Sequence, residues 1–144
     1  MTFAFDPAHK DQILALLDQP VLARLATARA GTLQPHVVPV WFLWDGDNLW
    51  ISAFSSTRKL KDLLGNPLCA VLIEPPEVDK LQAVLFEGRA DVLAEPRRLV
   101  RDISLRIYTR YMGEQGVLEA EPQSWANDPE NRLVRLAPLK VMAW

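Results

Sequence analysis

Cysteine is almost missing from this chain: Cys69 is the only one in 144 residues, so no internal disulfide can form. Histidine is nearly as scarce, with His9 and His36 alone, and one thiol plus two imidazoles make no zinc set. Cys69 stands in Leu68-Cys69-Ala70-Val71-Leu72-Ile73, where a small buried hydrophobe is expected rather than a reactive thiol. Charge of one sign is also lacking. The formal net charge is -2 with no long block of either sign, which argues against nucleic acid or an anionic membrane surface as the main partner. Long apolar runs are absent too. The longest, Val37 to Trp44, is too short to span a bilayer as a helix. The first twenty residues carry Asp6, Lys10, Asp11 and Asp18 with no basic stretch ahead of an apolar core, unlike a signal peptide. A cytoplasmic protein is expected. With 49% hydrophobic and 24% charged residues, the composition supports one folded domain, 1–144, and not a disordered chain.

Hairpin signals dominate what is present. Asp6-Pro7 opens a first helix with the stripe Ile13, Leu14, Leu16, Leu17, and Pro20 stops it. Val21 to Ala28 reads as a strand, Arg29-Ala30-Gly31 as a turn, and Gln34 to Trp44 as a second, long strand. Asp45-Gly46-Asp47 is a tight turn into a third strand, Asn48 to Ala53, so the first half predicts an antiparallel meander of three strands. A short helix is predicted over Thr57 to Leu64, ended by Gly65-Asn66-Pro67, then strands over Leu68 to Glu74 and Leu81 to Leu93. Glu95-Pro96 begins the longest helix, which runs to Tyr111-Met112-Gly113. Residues 116–127 fit a short helix or an ordered loop, and the role of 114–130 is not legible. Arg132 to Leu136 is a sixth strand, with Lys140 to Trp144 as a possible extension past Pro138. The fold class is mainly β with inserted helices, a six-stranded antiparallel barrel, closed or nearly so.

Two features carry chemistry. The first is Pro35-His36-Val37-Val38-Pro39-Val40-Trp41-Phe42-Leu43-Trp44. One face holds Val38, Val40, Phe42 and Trp44 and the other Val37, Pro39, Trp41 and Leu43, so both faces need cover. Pro39 cannot donate to a ladder and belongs at an edge or bulge, which leaves backbone groups free beside an apolar surface. A flat heterocycle with polar edges suits such a surface, and so does a dimer interface without a ligand. The second is Ser55-Ser56-Thr57-Arg58-Lys59 at a helix start. Free amides, hydroxyls, a guanidinium and an ammonium there suit a phosphate. An ordinary cap with Arg58 and Asp62 paired at i, i+4 suits the same residues. A nucleotide with a planar ring and a phosphate tail could bridge the two features.

The order Ala23-Arg24-Leu25-Ala26-Thr27, Pro35 to Phe42, Asp45-Gly46, Ser56-Thr57-Arg58-Lys59, Asn66-Pro67 and Phe86-Glu87-Gly88-Arg89-Ala90 resembles the pyridoxamine 5'-phosphate oxidase-like superfamily. The resemblance runs from about Val21 to Val92, with a weaker echo at Val134-Arg135-Leu136 and Trp144. It implies a six-stranded split β-barrel of the FMN-binding type, a homodimer with cofactor sites at the interface, and FMN as cofactor, with deazaflavin coenzyme F-420 as the alternative. It also implies that His36, Val38, Pro39, Val40 and Trp41 lie along the ring and that Ser56, Thr57, Arg58 and Lys59 hold the phosphate. The Arg- and His-rich C-terminal segment of the oxidases proper is not matched, which argues against vitamin B6 oxidation.

Three functions follow as expectations: a flavin-dependent oxidoreductase acting on a small molecule, a non-catalytic flavin carrier or redox sensor, and a haem-binding relative ligated by His9 or His36. Hydride chemistry belongs to the cofactor, so no catalytic side chain is assigned. His36 near the ring and Arg24 near a ring edge or substrate anion are candidates, each with a plain structural alternative at a strand end.

Overall fold

Hairpins organise the chain because Gly31 and Gly46 take the positive φ angles, 85° and 103°, that tight turns demand. The computed structural model describes residues 3–144. The elements are α1 (Lys10–Leu17), β1 (Ala23–Ala28), β2 (Pro35–Val40), β3 (Leu43–Trp44), β4 (Leu49–Phe54), α2 (Arg58–Gly65), β5 (Leu68–Ile73), β6 (Val84–Leu93), α3 (Arg97–Gly116), α4 (Ala120–Asn127) and β7 (Asn131–Ala143). All seven strands pair antiparallel in one sheet ordered β2-β1-β5-β6-β7-β4-β3. This is the mainly-β split barrel, with seven strands where six are predicted.

The extra strand comes from a break. The predicted run from Gln34 to Trp44 divides at Trp41-Phe42 into β2 and β3, which occupy opposite edges of the sheet. The predicted meander is corrected accordingly. β1 pairs with β2 (Leu25 opposite Val38) and β3 with β4 (Leu43 opposite Trp50), but β4 lies against β7 (Ile51 opposite Val134), not β2. Side chains of α3 take over the backbone groups that the break releases. The Phe42 N–H donates to the Tyr111 hydroxyl at 3.2 Å, and the Phe42 carbonyl accepts from Arg110 Nε at 3.0 Å. Buried backbone groups need such partners.

β7 continues through Pro138 because the ladder shifts there: Glu87 faces Lys140 and Gly88 faces Pro138, leaving Leu139 as the extra residue of a bulge. Gly88 is required at this spot, since an added Cβ would lie 2.4 Å from the Ala137 carbonyl oxygen. The regular part of α3 ends where the sequence predicts, at Gly113, whose φ is 81°. The unresolved alternative for 116–127 resolves into α4.

Two apolar cores share the sheet. Inside the curl lie Leu25, Phe42, Leu49, Ile51, Val71, Ile73, Phe86 and Leu136, all essentially buried. On the outer side, Leu43, Trp50 and Leu133 pack under Val100, Ile103 and Ile107 of α3. Strand alternation sends Leu49 and Ile51 to one core and Trp50 to the other. Among the described residues no helix is long and apolar enough to cross a membrane, and no group of three or more His, Cys, Asp or Glu could hold a metal ion.

Candidate functional site

The break at Trp41-Phe42, the start of α2 and the inner face of α3 meet around a two-lobed cleft. One lobe, a cavity of about 260 Å³, is lined by Trp41, Ser52, Phe54, Thr57, Lys59, Tyr108, Trp125 and Asn131. The other, about 370 Å³, is lined by Leu22, Pro39, Val40, Trp41, Ser52, Lys59, Ile107 and Tyr108. Trp41, Ser52, Lys59 and Tyr108 border both.

The walls are aromatic and braced from behind. The Trp41 ring stacks on Tyr111 with centroids 4.8 Å apart and planes 3° from parallel, and Tyr108 meets its edge at 6.2 Å. Tyr108 also meets the Trp125 ring at 5.7 Å and 87°. Tyr111 is itself held by its hydroxyl, which donates to the Val21 carbonyl at 2.7 Å. The expectation that the second face of the 37–44 run needs cover is met in halves. α3 covers Trp41 and Leu43, while Val37 stays 62% exposed and Pro39 is exposed on edge strand β2.

Polar groups form the floor. Ser52 Oγ donates to Asn131 Oδ1 at 2.9 Å and lies 3.0 Å from the Tyr108 hydroxyl. Ser104 Oγ donates to Ser52 Oγ at 3.0 Å, and Asn131 Nδ2 donates to Ser104 Oγ at 3.0 Å and to the Ala126 carbonyl at 3.3 Å. Ser104 and Asn131 are buried. Burial pushes the Tyr108 phenol above its ordinary pKa of 10.0, against the opposing influence of the neighbouring Ser52 and Ser104 hydroxyls, so it is neutral at physiological pH.

The start of α2 splits the predicted phosphate residues between two hollows. Thr57 and Lys59 face the cleft, while Ser56 and Arg58 line a neighbouring depression of about 460 Å³ with Arg29, Lys61 and Asp62. The hydroxyl cap of the alternative reading is not made. Thr57 Oγ1 donates back to the Phe54 carbonyl at 2.8 Å, the Ser55 hydroxyl goes to Glu130, and no side chain caps α2. The first-turn amides therefore remain open to an anion. Arg58 Nε lies 3.5 Å from buried Asp62, the i, i+4 pair anticipated from the sequence, yet Arg58 Nε and Nη2 are both buried with no hydrogen-bond partner among the described residues. Burial pulls the Lys59 ammonium below its ordinary pKa of 10.5, and no carboxylate among the described residues pairs with it.

Of the other predicted residues, Pro39, Val40 and Trp41 reach the cleft, with Val40 also contributing to the inner core. Val38 packs against that core. His36 pairs with Thr27 at the far end of β2, about 10 Å along the strand from Pro39. Arg24 binds Glu74 at 2.7 Å on the surface, and His9 binds Asp6 at 3.3 Å. The floor residues Ser52, Ser104, Tyr108 and Asn131 escape sequence reasoning because they come from three elements. The available signal is Ser104, a hydroxyl on the apolar stripe of α3 between Ile103 and Ile107.

An anion-ready helix start beside an apolar, aromatic cleft fits a planar group with an acidic tail. The spare Arg58 donor and the unpaired, desolvated Lys59 ammonium are the atoms that such a tail would satisfy.

The family profile described as pyridoxamine 5'-phosphate oxidase matches residues 9–144. No curated protein matches the sequence. Among solved structures, an F420 reductase is 22% identical with a TM-score of 0.74, covering 96% of this chain and 98% of that one. A conserved hypothetical protein from Mycobacterium tuberculosis is 20% identical with a TM-score of 0.76, covering 99% and 86%. HutZ, the haem storage protein of Vibrio cholerae, is 16% identical with a TM-score of 0.73, covering 92% of each chain. At these identities the structural likenesses show a shared fold.

Proposed function

The chain belongs to the pyridoxamine 5'-phosphate oxidase family, and from that premise we propose that it is a cytoplasmic, single-domain FMN-dependent oxidoreductase acting on a small molecule. The observation that carries this reading is Lys59: a desolvated ammonium with no carboxylate partner among the described residues, at the uncapped start of α2, on the rim of an aromatic cleft. A phosphate tail supplies the charge that this corner lacks, and the ring fills the space beyond it.

In this reading Pro39, Val40 and Trp41 line the ring, with Val38 and His36 farther along the same edge strand. Thr57 and Lys59 grip the phosphate from the cleft side, and Ser56 and Arg58 reach it from the neighbouring hollow. FMN, when bound, supplies hydride or electron transfer. The chain's own part is positional. The Trp41–Tyr111 stack gives a rigid flat wall, and Lys59 and the α2 amides fix the anionic end. The packed rings of Tyr108 and Trp125 narrow water's access.

The outer face of β2, β1 and β5, where Val37, Ala26 and Ala70 lie in one register row and Pro39, Arg24 and Leu72 in the next, is the surface we assign to a homodimer that completes the sites. Deazaflavin F-420 is the second reading, supported by the shared fold of the F420 reductase over nearly the whole of both chains. A haem reading is weaker, since neither His9 nor His36 lines the cleft.

The test is the absorption spectrum of ligand released from purified protein, followed by FMN titration of the apoprotein. Arg58→Ala and Lys59→Ala should each weaken binding by about 1.5–3 kcal/mol, the range for charge-assisted hydrogen bonds. Unchanged affinity in Lys59→Ala would discard the phosphate assignment.

A further inference from the structure

The floor of the cleft has a direction, and the direction follows from counting protons. Asn131 Nδ2 faces the Ala126 carbonyl, so the amide cannot be turned round without setting two oxygens against each other. With Nδ2 fixed there, Oδ1 faces Ser52 and can only accept, so the single Ser52 proton is committed to it. Ser104 accepts from Nδ2 and hence gives its own proton to Ser52. Asn131, Ser104 and Ser52 thus form a closed ring with every donor used. The remaining contact, 3.0 Å from Ser52 Oγ to the Tyr108 hydroxyl, has one solution: Ser52 has no proton left, so Tyr108 donates and Ser52 accepts. Ser52, which also lines the cleft, is then saturated with one bond given and two received.

We propose that this ring makes Tyr108 an obligate hydrogen-bond acceptor toward the cleft, so the ligand edge that meets it must carry an N–H or O–H. In this account the Tyr108 phenol gives its proton to Ser52, and the lone pair it keeps is offered to the two lobes that Tyr108 lines. A ligand offering a bare carbonyl or ring nitrogen there meets a second acceptor. The substrate or ring edge selected is of the amide, imide, pyrrole or alcohol class. Tyr108 is by this account a specificity-determining residue, and Asn131, Ser104 and Ser52 are positioning residues behind it.

The inference takes the cleft as the ligand site, and in that respect rests on the reading above, but it does not require a flavin. The test uses the intact protein with tyrosine labelled at Cζ and two flat bicyclic probes: indole, which only donates, and quinoline, which only accepts. The sequence holds two tyrosines, so two signals appear, and the Tyr108 signal is the one missing in Tyr108→Phe. Indole is expected to move the Tyr108 signal and to bind about fivefold more tightly than quinoline, the worth of one net neutral hydrogen bond. The preference disappears in Tyr108→Phe. It narrows or reverses in Ser52→Ala, where the phenol is free to turn its proton outward. If Ser52→Ala does not fold, wild type against Tyr108→Phe decides alone.

Equal binding of the two probes, a preference that survives Tyr108→Phe, or a Tyr108 signal that neither probe moves overturns the proposal. An indole preference in a protein that binds no flavin defeats the flavin reading and leaves this one standing. FMN bound without the preference does the opposite.

Discussion

Replacing Tyr111 by Phe tests how the broken edge of the sheet is held. The ring survives the change, so the stack on Trp41 at 4.8 Å is kept, and only the hydroxyl is lost. That oxygen accepts from the Phe42 N–H and donates to the Val21 carbonyl. Phe42 has no exposed surface, so its amide is left as a buried donor without a partner, at about 1–3 kcal/mol. Val21 is half-buried and water can reach its carbonyl, so that loss is nearer the net value of about 0.5–1 kcal/mol. Together they amount to about 1.5–4 kcal/mol. With an unfolding entropy of about 2.1 cal/mol/K per residue, a 144-residue chain loses about 3 °C for each kcal/mol, so Tm should fall by about 5–12 °C. Calorimetry and urea unfolding check this, the urea midpoint moving with its slope unchanged. Burial also raises the Tyr111 pKa above 10.0, so its contribution is full below pH 10 and is lost as pH rises through the folded value. The variant should therefore lose less stability than wild type between pH 10 and higher pH. A Tm within about 2 °C of wild type, the size of a surface substitution, would refute the reasoning.

Three further outcomes follow from the same structure. Gly88→Ala places a Cβ 2.4 Å from a backbone carbonyl oxygen in the bulge between β6 and β7, and should unfold the protein or lower its stability severely, read by urea midpoint. Lys59→Met should act with opposite signs: the ligand-free protein gains thermal stability because a desolvated charge is gone, while FMN affinity falls at least tenfold. In wild type, FMN affinity should decline as pH rises through the lowered Lys59 value, below 10.5, and Lys59→Met should flatten that decline. Cys69, its thiol pushed up to about 12 by burial, should resist iodoacetamide at pH 8 in the folded protein and react at the rate of unfolding.

What could be read from the chain alone was local. Asp45-Gly46 specified a turn, the alternation Val84 to Val92 specified a strand, and Gly113 specified a helix end, because each is set by neighbours in sequence. The division at Trp41-Phe42 was not readable. The Tyr111 hydroxyl and the Arg110 guanidinium that satisfy the freed Phe42 groups are 69 and 68 positions away. The phosphate cluster was found as a set, but its partition was not. Alternate residues at a helix start point to different hollows once α2 docks, and five consecutive letters do not reveal that orientation. The ring of Ser52, Ser104 and Asn131 stayed hidden for the same reason as the break: each residue is unremarkable until a strand, a helix and a second strand converge.

The joint between β2 and β3 has a mechanical consequence. These are the outermost strands of the sheet, yet only two residues separate them, so the sheet cannot flatten without stretching a tether shorter than the gap it would open. Any loosening of the curl must pivot at Trp41-Phe42, and Trp41 is also a wall shared by both lobes of the cleft. Breathing of the sheet and admission of a guest are then one motion seen from two sides. A molecule that binds better to one state of this seam stabilises that state, and by reciprocity a seam already held in that state binds its guest more tightly.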